Sequence, residues 1–133
     1  MSSIFSKIIE GEIPSYKIAE SDEFLAFFDI NPVAIGHTLV IPKKEVDYIF
    51  DVEDDELGRM MIFSKKVAEG IKAVIPCSRI GVTIIGLEVP HAHIHLIPIN
   101  SLNDMNFEKP KQSLQKEEFT RLAKQIRSKI IEI

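Results

Sequence analysis

The chain has 133 residues, of which 45% are hydrophobic and 27% are charged, a composition typical of one globular domain and not of a disordered protein. The formal net charge of −4 argues against a general nucleic-acid binder, which needs clustered positive charge, and the single cysteine excludes an internal disulfide and a multi-cysteine zinc site. Because no apolar run approaches the roughly 18 residues of a membrane span and no signal-peptide core is present, we expect a cytoplasmic protein without membrane contact.

The first half of the chain predicts one short helix and three strands. Apolar residues at helical spacing indicate a helix over 4–9. Apolar runs bounded by turn residues indicate strands over 16–20, 24–28 and 37–41, the last of which ends at Pro42. The turns between these strands are short, whereas parallel crossovers need about a dozen residues or more, so we expect an antiparallel arrangement.

The second half predicts a long helix followed by a hairpin. The helix begins near Asp54 and ends before Pro76. The residues expected on its buried face are Leu57, Met60, Met61, Val67, Ala68, Ile71, Val74 and Ile75. Strands over 80–85 and 91–99 complete the predicted sheet. We expect a single domain over 1–133, in which 1–99 form the core, the polar residues 100–113 a loop and residues 114–133 a C-terminal helix.

Three of the four histidines stand at alternate positions in the apolar run His91-Ala92-His93-Ile94-His95. In a strand, successive side chains point to opposite faces, so His91, His93 and His95 would share one face while Ala92 and Ile94 pack into the core. Three unrelated structural histidines, a metal site and phosphate chemistry are the alternatives for this run.

A metal ion held by all three histidines conflicts with strand geometry. The α-carbons of His91 and His95 would lie ~13 Å apart in a strand. A histidine reaches a metal only ~6 to 6.5 Å from its own α-carbon, given a metal–nitrogen bond of about 2 Å. Two of the three with ligands from elsewhere remain a possible metal site, but no acidic or cysteine cluster with ligand spacing accompanies them.

Phosphate chemistry fits the spacing better. A neutral imidazole is a good nucleophile near pH 7, and a neighbouring histidine can donate hydrogen bonds or a proton. Histidines ~6.6 Å apart along one strand face can reach adjacent oxygens of one phosphate. His93 is flanked on both sides and is therefore the best candidate for the nucleophile.

The segment His91–Ile97 resembles the signature of the histidine triad (HIT) family, in which three histidines alternate with hydrophobic residues. Three further segments, residues 4–14, 25–32 and 36–43, resemble blocks of its nucleoside phosphoramidate hydrolase branch. The resemblance implies an α+β, HIT-like fold with an antiparallel sheet of about five strands, a long central helix and a C-terminal helix. It also implies a homodimer that binds a small nucleotide, preferably a purine nucleotide.

The resemblance further implies separate roles for the site residues. His93 would attack the α-phosphate to give a nucleotidyl-histidine, and the backbone carbonyl of His91 would orient it. His95 would contact phosphate oxygens and assist the leaving group, with His37 also near the phosphate. Asp29 would accept hydrogen bonds from the ribose hydroxyls. The residues expected to line the base pocket, some of which could instead be ordinary core, are Ile4, Phe5, Ile8, Phe27 and Ile30.

One segment departs from the family pattern. Residues 83–90, before the triad, form a shorter stretch that lacks the usual asparagine and has Leu87 where glutamine is common. Gly86 can still let the backbone approach a phosphate, and we expect it and Val89 in the nucleotide site. An ionised Glu88 is an acceptor only and would repel a phosphate unless it turned outward.

We therefore expect a HIT-type nucleotidyl hydrolase or transferase that acts on a nucleoside phosphoramidate or a dinucleoside polyphosphate without a metal or other cofactor. A non-enzymatic, nucleotide-binding regulator is the first alternative. A metal-binding protein that uses two of the triad histidines is the second.

Overall fold

The computed structural model describes residues 3–130, and within them the expected α+β fold is confirmed. The helices and strands, in chain order, are α1 (Ile4–Ile9), β1 (Lys17–Glu20), β2 (Phe24–Phe28), β3 (Thr38–Pro42), α2 (Asp54–Val74), β4 (Arg79–Thr83), β5 (Ile94–Ile99) and α3 (Lys116–Lys129). Two short 3-10 turns, Ile49–Asp51 and Leu102–Met105, were not predicted. No helix within residues 3–130 is both long enough and apolar enough to cross a membrane.

The five strands form one antiparallel sheet in the order β1-β2-β3-β5-β4. The first three strands follow one another as the short turns predicted, and β4 and β5 pair as the expected hairpin. Strand β5 lies between β3 and β4, where His95 is opposite Leu39 on one side and Thr83 on the other. His95 is therefore held in the interior of the sheet by hydrogen bonding on both edges of its strand.

One face of the sheet packs against α2 and α3. Ala92, Ile94 and Leu96 belong to this large apolar cluster, as the alternation of the histidine run predicted. The opposite face carries a smaller cluster whose members are Phe5, Ile8, Leu25, Phe27, Leu39 and Ile41. Because Phe5 of α1 also contacts the rings of His91 and His93, these histidines lie on the α1 side of the sheet.

The predicted strand over 91–99 is wrong at its start, because β5 begins only at Ile94. The backbone before it has partners outside the strand ladder: His91 N–H donates to the Val89 carbonyl and Ala92 N–H to the Val46 carbonyl. Strand β4 likewise ends at Thr83, two residues earlier than predicted. The connection between the two strands is therefore a long irregular segment that includes His91 and His93.

Smaller differences concern the helices and the loop. Met61, predicted on the buried face of α2, is 48% exposed. The loop over 100–113 contains a 3-10 turn that begins with a capping box between Ser101 and Asp104. Helix α3 is shorter than the predicted 114–133, and residues 131–133 lie outside the described residues.

Candidate active site

His93 is oriented by a backbone carbonyl. Its Nδ1 lies 2.7 Å from the carbonyl oxygen of His91, and both residues are buried. A carbonyl only accepts, so the Nδ1 of His93 carries the proton and donates. The Nε2 of a neutral His93 consequently keeps its lone pair, as a nucleophile requires.

His95 and His37 form a directed pair of buried imidazoles. The Val33 N–H donates to Nδ1 of His37 over 3.2 Å, so a neutral His37 carries its proton on Nε2. This Nε2 lies 2.9 Å from Nδ1 of His95 and donates to it. A neutral His95 therefore carries its own proton on Nε2, and this N–H can donate a hydrogen bond to a bound group.

Burial keeps both of these imidazoles neutral at neutral pH. Burial, followed by repulsion from a charged His95, lowers the pKa of His37 to about 3. Burial, followed by repulsion from a charged His93, lowers the pKa of His95 to about 4. The tautomers set by the Val33 N–H are thus the forms present at pH 7.

Asp29 lies beside this pair at the end of β2. One carboxylate oxygen is 3.7 Å from Nε2 of His37, and the other accepts the N–H of Asn31 over 2.9 Å. Burial raises the pKa of Asp29, although the side chain keeps 23% of its surface exposed. The carboxylate can therefore still accept hydrogen bonds from a bound molecule.

The residues predicted to line a base pocket separate into two groups. Phe5, Ile8 and Phe27 are buried together, with the ring of Phe5 5.6 Å from Phe27 and 5.1 Å from His93 between centroids. Ile4 is 49% exposed and Ile30 is 64% exposed, and neither belongs to this cluster. The structure therefore brings three of the five together, with Phe5 beside the predicted nucleophile.

The segment before the triad is open. Gly86 has a φ of +74°, a conformation that favours glycine, and no atom lies within 4 Å of the position of a Cβ. Leu87 is 88% exposed, and Glu88 is also exposed. Val89, in contrast, packs against the Phe5 cluster. Backbone groups around Gly86 are accordingly accessible to a ligand.

Comparison with known protein families identifies the same histidines. The HIT domain model matches residues 10–102, which include all four histidines. The chain belongs to the HIT family. It is 38% identical over 131 residues to an uncharacterized HIT-like protein of Borreliella burgdorferi, an alignment that covers 92% of this chain and 94% of that one.

Two further HIT relatives have more informative names. The adenosine 5′-monophosphoramidase HNT1 of Saccharomyces cerevisiae is 41% identical over 96 residues, which cover 71% of this chain and 61% of the yeast protein. A hypothetical histidine triad nucleotide-binding protein of Sulfolobus tokodaii has a crystal structure that is similar with a TM-score of 0.81 and 31% identity. The match covers 96% of this chain and 91% of that one.

Among residues 3–130, one group of side chains has donor atoms close enough together to surround a metal ion, and it consists of Asp29, His37 and His95. Ligand atoms of Asp29, His37 and His95 all lie within 4.8 Å of one another. The Val33 N–H, however, places the proton of His37 on Nε2, the nitrogen that faces the other two donors. A protonated ring nitrogen cannot bind a metal, so this arrangement does not suit an ion.

The loop after the matched HIT region contributes contacts that the sequence did not predict. Phe107 lies 5.0 Å from the ring of His95 and 5.9 Å from that of His37. Lys111 donates to the Phe107 carbonyl, and its ammonium lies 5.6 Å from the Phe107 ring centroid. Phe107 is the one aromatic residue of the loop over 100–113, and this was the available signal. Ser3, whose hydroxyl contacts His91, was also missed, as were Ser6 and Glu45, which hydrogen-bond to Ser3.

Proposed function

We propose that this HIT-family chain is a nucleotidyl hydrolase or transferase that cleaves the bond between the α-phosphate of a nucleotide and its leaving group. The hydrogen bond from His93 Nδ1 to the His91 carbonyl carries the proposal, because it leaves Nε2 free to attack. Nucleoside phosphoramidates and dinucleoside polyphosphates are the two substrate classes. The name of the yeast relative supports the first class.

The proposed reaction has two steps. In the first, Nε2 of His93 bonds to phosphorus while the bond from phosphorus to the leaving nitrogen or oxygen breaks. The Nε2–H of His95 stabilises the negative charge that develops on the leaving atom, which takes a proton from solvent. In the second step, water attacks phosphorus, the bond to His93 breaks and one proton returns to solvent. The product is a nucleoside monophosphate.

The groups beside the histidines suit the nucleoside part of such a substrate. Phe5, Ile8 and Phe27 offer an apolar wall for a purine base next to His93. The open backbone at Gly86 can approach the phosphate. We propose that Ile4 and Ile30, which lie at the surface, form the rim of the base pocket and that Val89 supports its wall.

Asp29 is proposed to accept hydrogen bonds from the ribose hydroxyls. If it does, Asp29→Ala weakens binding of a ribonucleotide by about 1.5–3 kcal/mol, because a charged acceptor is lost, and leaves the binding of a 2′,3′-dideoxy analogue nearly unchanged. Calorimetric titration with both nucleotides measures the difference. An equal loss on both would remove Asp29 from the ribose site.

Mass spectrometry of the intact protein tests the covalent step. The protein is mixed with an adenosine phosphoramidate or a diadenosine polyphosphate, the reaction is quenched without acid, and the mass of the intact protein is measured. We expect an added nucleoside monophosphate in the wild type, none in His93→Ala, and an unchanged adduct in the control Leu102→Ala, whose side chain is 91% exposed. Nucleotide binding without an adduct or turnover would favour the non-enzymatic, nucleotide-binding regulator. Activity that is lost on addition of a chelator and restored by zinc would favour a metal site.

We also propose that two copies form a homodimer. The interface would consist of exposed apolar side chains from α2, from β4 and from the two residues after β4. These side chains, each at least 40% exposed, are Met61, Ile62, Val82, Ile84 and Ile85. Met61 and Val82 line one common groove, and exposed apolar surface of this kind marks interaction sites. Sedimentation should give a dimer for the wild type and for the control Leu102→Asp, and a monomer for Val82→Asp. A monomeric wild type would contradict the proposal.

A further inference from the structure

A chain of hydrogen bonds reaches the triad through residues that no role above includes. Ser3 and Ser6 of the α1 region are buried, while Glu45 is an exposed residue shortly after β3. One oxygen of Glu45 accepts the Ser3 N–H and the Ser6 hydroxyl, both over 2.6 Å. The Ser3 hydroxyl lies 2.8 Å from Nδ1 of His91. This network therefore joins a solvent-exposed carboxylate to a fully buried imidazole.

The direction of each hydrogen bond follows from groups that can only accept or only donate. The Pro42 carbonyl lies 2.7 Å from Nε2 of His91 and only accepts, so Nε2 carries the proton. Burial lowers the pKa of His91, which is neutral at pH 7, and its Nδ1 is then an acceptor. The Ser3 hydroxyl must donate to it, while its oxygen accepts the Ser6 N–H over 3.0 Å.

The placement of His91 matters because its carbonyl orients His93. His91 lies before the first residue of β5, so the pairing of the sheet does not fix this peptide. Outside the ladder, the Ala92 N–H of this peptide donates to the Val46 carbonyl, and the His91 ring is held at both nitrogens, by Pro42 on one side and by Ser3 on the other. A shift of the ring would be transmitted to the carbonyl that receives the proton of His93 Nδ1.

We infer that Ser3, Ser6 and Glu45 are positioning residues, which fix the tautomer and place of the His91 ring and thereby the orientation of His93. This inference rests on the nucleotidyl-transfer function proposed above. Ser6 and Glu45 act through Ser3, because the Ser3 backbone N–H and hydroxyl oxygen are held by these two residues while its hydroxyl proton points to His91.

The Ser3 hydroxyl has two roles that a pair of variants separates. As the N-cap of α1 it accepts the Ser6 N–H, and replacement of an N-cap serine by glycine costs only a few tenths of a kcal/mol. Ser3→Gly therefore removes the donor to His91 at little cost to the helix, whereas Ser3→Thr retains a hydroxyl for both roles. Lys44→Ala, at an exposed position next to Glu45, is the matched control.

Two measurements on these variants test the inference. In Ser3→Gly and Glu45→Ala we expect kcat to fall by about 10- to 100-fold with KM changed little, since misplacement by about 1 Å is enough for such a loss. Ser3→Thr and Lys44→Ala should retain wild-type kcat. Long-range ¹H–¹⁵N spectra should show His91 protonated at Nε2 in the wild type and a changed Nδ1 shift in Ser3→Gly.

The kinetic and the spectroscopic measurement together distinguish failure of the positioning role from failure of the proposed function. Wild-type kcat together with an unchanged His91 spectrum in both Ser3→Gly and Glu45→Ala would overturn the positioning role. A wild type that forms no adduct, but whose His91 spectrum changes in Ser3→Gly, would contradict the proposed function and leave the hydrogen-bond network confirmed. If Ser3→Gly fails to fold, Glu45→Ala compared with Glu45→Gln, which keeps an accepting oxygen, supplies the same comparison.

Discussion

The two faces of the sheet use the same strand in different ways. From β5, Ile94 and Leu96 enter the apolar cluster under α2 and α3, while His95 points to the α1 side. The first face is held by dispersion and burial, which tolerate many apolar shapes. The second face also depends on hydrogen bonds that assign a definite proton position to each imidazole. Stability and chemistry are therefore carried by alternate residues of one segment, 91–96, and should be separable by mutation.

The largest expected effect on the histidine face is that of His95→Ala on catalysis. Loss of one donor to developing charge lowers kcat by about 10²- to 10³-fold. The loss should shrink for substrates whose leaving group has a low pKa, because such groups need less stabilisation. Steady-state rates over a leaving-group series measure this dependence. A uniform loss across the series would indicate a structural role for His95 instead.

The neighbouring Leu96→Ala should give the opposite result. This side chain is 1% exposed, and the cavity left by its truncation lowers the free energy of unfolding by about 2–5 kcal/mol. Under conditions where the variant is fully folded, its kcat should remain within about twofold of the wild type, because the residue faces away from the site. Urea unfolding and steady-state kinetics supply the two values. A large fall in kcat would show that the two faces are coupled.

The pH dependence of stability should arise mainly from the histidine face. His37 and His95 have pKa values of about 3 and about 4 when folded, below the ordinary value of 6.5. Between pH 6.5 and pH 5 the unfolded chain binds protons that the folded chain does not. Stability is then complete above pH 6.5 and falls by up to about 1.4 kcal/mol per pH unit for each histidine.

His37→Gln tests this assignment, because its amide can still donate to His95 while it no longer titrates. The slope of unfolding free energy against pH over this window should decrease by up to about 1.4 kcal/mol per pH unit. Urea titrations at several pH values measure the slope. An unchanged slope would mean that other groups cause the acid sensitivity.

The smallest effect concerns two glycines of α2, of which Gly58 is exposed and Gly70 is buried. A Cβ at Gly58 would meet no atom within 4 Å, whereas a Cβ at Gly70 would lie 2.5 Å from the Ile130 side chain. Gly58→Ala should therefore raise the free energy of unfolding by about 0.5–1 kcal/mol through helix propensity. Gly70→Ala should lower it, because the side chain of Ile130, at the C-cap of α3, must shift. Thermal unfolding of both variants checks the sign, and equal stabilisation would contradict the close approach of α3.

The fold followed well from the sequence, since apolar periodicity is a local property. The long helix was predicted to begin near Asp54 and does begin there, and the strand over 24–28 matches β2. The exposure of Met61 was not predictable, because helical spacing defines a face but not its width. The start of β5 was misplaced because the residues before Ile94 have hydrogen-bond partners outside the ladder, and such partners leave no trace in periodicity.

The sequence by itself determined that three histidines alternate in one segment and that their apolar neighbours, Ala92, Ile94 and Leu96, pack into the core. This was possible because side-chain alternation depends only on the local backbone. The tertiary structure alone decided where each proton lies. Val33 and Pro42 fix the tautomers of His37 and His91, while Ser3 and Phe107 contact the triad from segments distant in the chain. Hydrogen bonds and contacts between segments distant in the chain form only when the chain folds, so the periodicity of the sequence does not predict them.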